Sequence, residues 1–171
     1  MTRLILSNVF RFLALIVLQV LILNYVYLGG YVLPFVYILG VLMLPTNFGK
    51  IPTLLVAFVA GMMVDLFCNI PGFHAFTCTM MAFARILFGD RMLTQGDPDT
   101  VVVTPSVREV PVQTFMGYAL LMSLVYCVTY GLIEAFSFGN FWMTLLSMLF
   151  NTLITWALIM LCQLLVMPQK K

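Results

Sequence analysis

Residues 59–85 read VAGMMVDLFCNIPGFHAFTCTMMAFAR. Asp65 is the one charged residue between Lys50 and Arg85, and His74 is the one histidine of the chain. Ala57, Gly61 and Asp65 are spaced four apart, which at about 100° per residue puts them on one helix face. The stretch therefore carries a carboxylate at the end of a smooth face that another backbone can approach closely. Asn69-Ile70-Pro71-Gly72 reads as a compact turn. Beyond it, His74, Cys78, Met81 and Arg85 recur on one face of a second helix. Two apolar helices joined by a short polar turn form a membrane hairpin, and an acid inside such a hairpin is a candidate functional residue.

The rest of the composition agrees. The chain has 171 residues, 63% hydrophobic and 8% charged, against roughly 25% charged in a soluble domain. No soluble surface can be built from it. Six spans of about 20 residues fill the length, so residues 1–171 form a single membrane domain. A net charge of +2 is too small to imply nucleic acid. Cys68, Cys78, Cys127 and Cys162 form no CxxC pair and read as small hydrophobes. Arg3 and Arg11 precede an apolar run as in a secretion signal, but no small-residue cleavage site follows, so the run reads as a retained span.

Working outward, span one covers Val9 to Tyr27, with Gln19 and Asn24 as polar residues that bond neighbouring helices. Gly29-Gly30 reverses the chain. Span two covers Tyr31 to Leu44, with Pro34 in its first turn, where proline is tolerated. Spans three and four are Pro52–Cys68 and Phe73–Phe88. Residues 89–111 form the one long polar loop, with a short extended piece expected at Val101–Thr104. Spans five and six are Val112–Ala135 and Phe141–Val166. With six spans, every Lys and Arg falls on the side of the two termini, the second loop and the fourth loop. The positive-inside rule makes that side cytoplasmic.

On this topology Asp65, His74 and Glu134 lie near the outer face. Arg85 lies about 16 Å below His74, too deep to pair with Asp65. Asp65 reads either as a polar anchor bonded to its own turn or to His74, or as a carboxylate that faces a partner; a proton relay lacks further titratable groups across the membrane. His74 reads as a helix-start or carboxylate partner, because no further ligands are spaced for a metal. Glu134 reads as an interfacial acid, with a partner contact as the alternative. The Ala57/Gly61 face reads as internal packing ahead of oligomerisation. HExxH, GxSxG, a phosphate loop and a nucleophile–base pair are all missing from the sequence, so no enzyme activity and no cofactor are expected.

The block PTLLVAFVAGMMVDLFCNIPGFHAFTCTMMAFAR, preceded by VLMLP, resembles the bacterial rod shape-determining MreD family. The positions that carry the resemblance are Pro45, Gly61, Asp65, Gly72 and Ala75, within Leu39–Arg85. His74 and the Gly89–Pro111 loop fall outside the family pattern. The resemblance implies a non-enzymatic, multi-pass protein of the bacterial inner membrane with both termini cytoplasmic. It implies a scaffold that binds the bitopic protein MreC and, through it, sits with the MreB filament, RodA and a class B penicillin-binding protein. The membrane lipid is its surroundings, and nucleic acid has no part. The family is similar in fold to the substrate-binding subunits of energy-coupling-factor transporters. A vitamin-binding subunit of that type is the alternative reading, weakened because span one, FRFLALIVLQVLILN, lacks the paired small residues with which those subunits dock.

Overall fold

A computed structural model of the chain describes residues 12, 14–21, 33–70, 72–94, 104–134 and 141–166. The regular structure among these residues is helical throughout. We label residues 14–21 α1. Then follow α2 (Ile38–Leu42), α3 (Lys50–Cys68), α4 (Phe73–Ala84), α5 (Asp90–Leu93), α6 (Val112–Glu134) and α7 (Phe141–Val166). A π-helical turn, Arg85–Gly89, joins α4 to α5 without a break in the helix. The helices α3 and α6, and residues Trp142–Leu165 of α7, are long and apolar enough to cross a membrane.

Local chemistry sets the boundaries. Gly49, at φ 92°, turns the chain into α3, and the Thr53 hydroxyl donates back to the Gly49 carbonyl at 2.7 Å. Asn69 ends α3 at φ 54°, the left-handed conformation that asparagine tolerates better than most side chains. Gly72, at φ 91°, starts α4. Two left-handed residues within four positions reverse the chain tightly, and α3 and α4 pack as an antiparallel hairpin.

Helices α6 and α7 are also antiparallel. The Trp156 indole N–H donates to the Met116 carbonyl at 3.1 Å near one end, and Gly131 faces Met148 near the other. Helix α4 runs antiparallel to α6: His74 meets Tyr126 at one end, and Gly89 meets Tyr118 at the opposite end. Asp65, His74 and Glu134 therefore share one end of the bundle, whereas Lys50, Arg85, Arg91 and Arg108, the described basic residues, share the other.

The second span departs from expectation. Among the described residues of Tyr31–Leu44, only Ile38–Leu42 is helical, and Pro34 lies in non-helical chain rather than in a first helical turn. Leu33 N–H donates to Asn151 Oδ1 at 2.8 Å and Phe35 N–H to Thr155 Oγ1 at 3.1 Å. These acceptors stand one turn apart on α7, about 6 Å along its axis. Two residues that advance about 6 Å are extended backbone. The physical reason follows from length. A run of 14 residues is about 21 Å long as a helix, short of a hydrocarbon core of about 30 Å. Irregular backbone at membrane depth must be buried in protein with its polar groups satisfied, and Phe35, Val36 and Tyr37 are fully buried. Gln19 completes the clamp, donating to the Pro34 carbonyl at 2.8 Å and accepting from Val36 N–H at 2.9 Å. Gln19 thus bonds the non-helical chain before α2, and Asn24 lies outside the described residues.

The loop between spans four and five is less open than its polarity implies. Asp90–Leu93 continues the helix, and Leu93, Val107 and Val110 are buried in the core. Thr104 donates its N–H to Glu109 Oε2 at 2.8 Å. The Gly29-Gly30 reversal, the N-terminal arginines and the extended piece at 101–103 lie outside the described residues.

Candidate functional site

At the end of the bundle that carries Asp65, α3 and α4 approach so closely that a Cβ on Gly61 would strike the backbone of His74 and Ala75. This close approach brings the end of α3 over the start of α4. Asp65 Oδ1 accepts the His74 N–H at 2.9 Å, and Oδ2 accepts the N–H groups of Ala75 at 2.9 Å and Gly72 at 3.1 Å. Gly72 has no side chain with which to cap its own helix, so a carboxylate from the preceding helix takes that role. It fills the first-turn donors of α4 and meets the positive end of its dipole. Asp65 is 4% exposed and bonds the backbone of His74, not its ring.

The His74 ring turns into the core instead. Its Nδ1 shares a hydrogen bond of 2.8 Å with the Tyr126 hydroxyl, which in turn shares one of 2.7 Å with the Tyr37 hydroxyl. Phe35 and Tyr130 pack around the imidazole, with ring centroids 5.6 and 5.2 Å away. One polar chain therefore links α4, α6 and the broken second span. It consists of an imidazole and two hydroxyls that bond one another, which rigidifies a buried centre.

Arg85 closes the opposite end. It is 1% exposed. Its guanidinium donates from Nη1 to the Val41 carbonyl at 3.2 Å and from Nη2 to the Leu44 carbonyl, and the Tyr118 hydroxyl donates to the Leu42 carbonyl at 3.1 Å. The Val41 and Leu42 carbonyls end α2 and Leu44 follows its cap, where a cation is favoured by the helix dipole. Asp90 Oδ1 lies 3.5 Å from Nη2 and balances part of the charge. Burial pushes the Asp90 carboxyl above its ordinary 3.8, while the Arg85 guanidinium acts in the opposite direction. The π-helical turn places Gly89 where a Cβ would meet the Tyr118 ring at 2.7 Å. Glycine there lets Tyr118 lie against the Arg85 stem.

The structure thus brings Gly61, Asp65, Gly72 and the His74 backbone into one corner and sets Arg85 at the other end. Glu134 stands exposed at the end of α6, outside both networks. Sequence reasoning missed Tyr37, Tyr118, Tyr126 and Thr155. A signal was present, because Tyr118, Tyr126 and Tyr130 lie on one stripe of an apolar span, and a buried tyrosine hydroxyl needs a partner. Among the described residues no three metal-ligating side chains cluster. A groove of ≈ 680 Å³ runs between α3 and α4 on the bundle exterior. Phe58, Met62 and Leu66 line it from α3; Gly72, Ala75, Phe76 and Thr79 line it from α4; Asp65 and Asn69 edge one end. Comparison of the chain with protein-family models, characterised proteins and solved structures gives no match.

Proposed function

We propose that this protein is a non-enzymatic membrane scaffold of the MreD type, which holds the transmembrane helix of an MreC-like bitopic protein in the groove between α3 and α4. The observation that carries the reading is that groove. Its lining includes Asp65, Gly72 and Ala75, three of the five positions on which the family resemblance rests. Gly72, Ala75 and Thr79 leave a small-residue floor between the bulky Phe58, Met62 and Leu66 of α3 and Phe76 of α4, which suits the packing of one helix against a helix pair, because small residues let backbones approach where lipid provides no hydrophobic drive. In this reading the chain crosses a bacterial inner membrane six times with both termini in the cytoplasm. The basic end faces inward, beside the MreB filament. The Asp65 end faces the periplasm, where RodA and a class B penicillin-binding protein work with the partner.

Affinity purification from native membranes in mild detergent, followed by mass spectrometry, tests the assignment. A photocrosslinking side chain at Met62 tests the groove in the same preparation. Recovery of an MreC-like protein with RodA or a penicillin-binding protein, crosslinked through position 62, is the expected result. Recovery of a transporter coupling subunit with its ATPases overturns the reading in favour of a vitamin-binding subunit. A partner that crosslinks elsewhere overturns the groove.

A further inference from the structure

Residues 34–38 read Pro-Phe-Val-Tyr-Ile, a sequence suited to a helix that begins at Pro34, since proline is favoured at the first helical position. The helix instead begins at Ile38. The amide N–H groups of Tyr37 and Ile38 are buried and take no hydrogen bond among the described residues. Unpaired donors of this kind are costly in a membrane. Winding the chain back to Pro34 would supply Ile38 with the Pro34 carbonyl and Tyr37 with the Leu33 carbonyl. The Phe35 and Val36 donors would be first-turn donors in that helix, and such donors find no intrahelical acceptor in any case. Of the bonds that clamp the segment, the one in direct competition is that from Gln19 to the Pro34 carbonyl. The counterweight is the packing of Phe35, whose ring centroid lies 4.9 Å from those of both Tyr126 and Tyr130.

We infer that Pro34-Phe35, with the turn at Val36-Tyr37 that leads into α2, is a two-state segment, extended at Pro34-Phe35 as seen here and helical in a second state, with the balance set by bilayer thickness. Rewinding two extended residues shortens the crossing by roughly 4 Å. Mismatch between a span and its bilayer is resolved by changes of this size. Thick bilayers hold the extended form and thin ones favour the helix. The inference requires only that residues 33–44 cross the membrane, and it stands whether or not the scaffold reading does.

Solid-state NMR on the full chain in phosphatidylcholine vesicles tests this directly. Pro34-Phe35 is the one Pro-Phe pair of the sequence, so carbonyl-labelled proline with amide-labelled phenylalanine reports a single bond. In long-chain vesicles we expect one cross-peak at extended shifts. In short-chain vesicles we expect a second peak at helical shifts that grows as the first declines. Gln19→Leu, which removes the competitor for the Pro34 carbonyl, is expected to raise the helical peak in every lipid. A wild-type peak that stays at extended shifts across the lipid series overturns the inference, as does one that moves without reaching helical values. The wild-type series decides the matter even where the variant does not fold.

Discussion

Asp65 illustrates how little a charged residue in a span reveals about its role until its partners are known. Three backbone donors converge on its carboxylate, and each buried donor left unpaired costs about 1–3 kcal/mol. Asp65→Ala is therefore expected to destabilise the protein by roughly 3 kcal/mol or more, whereas Asp65→Asn, whose one acceptor oxygen still serves two of the three donors, costs less, about 1–3 kcal/mol. Thermal unfolding in detergent measures both, and equal effects for the two variants would argue against the cap. Asp90 behaves differently. Its carboxyl titrates above the ordinary 3.8 because burial disfavours the charge more than Arg85 favours it. A raised folded-state value means that its stabilising share is present at low pH and is lost as pH rises through and above that ordinary value. Asp90→Asn should flatten stability across that acidic window without loss at neutral pH; a variant as steep as wild type would assign the dependence elsewhere.

Elements were legible in proportion to how regular they are. α3, α6 and α7 match their expected spans to within a few residues, because an apolar run with turn residues at both ends admits one structure in a membrane. The α3–α4 hairpin was legible for the same reason, and its small-residue face packs inward. Gly61→Ala would place a methyl against backbone, which no rotamer change relieves, so it is expected to cost about 1–3 kcal/mol. The matching change at Gly89 meets the Tyr118 ring instead and should cost less, because a side chain can yield. A thermal-shift comparison of the two variants gives the order, and a reversed order would refute the distinction. The second span was misread because Pro34 suits the start of a helix equally well, and a 14-residue run is apolar in either conformation. Its conformation is set by Gln19, Asn151 and Thr155, which lie far from it in the sequence.

At the scale of the molecule, polarity is divided between two ends, with the described basic groups at one and Asp65, His74 and Glu134 at the other. If the basic end is cytoplasmic, a cysteine-free background carrying Ile70→Cys should react with a membrane-impermeant thiol reagent in intact spheroplasts. Arg108→Cys should react only after lysis, and the reverse pattern would invert the topology. The sequence by itself determined that the chain is a membrane protein, where most helices start and stop, and which residues cluster near each end. These properties depend on composition, on periodicity and on turn residues that act within a few positions of themselves. Only the tertiary structure decided that Asp65 caps α4, that His74 turns to Tyr126 and Tyr37, that Arg85 holds the end of α2, and that residues 33–35 run extended against α7. Each of these is a hydrogen bond to a partner on another element, and a donor in a membrane core must take whichever acceptor the packing brings within reach.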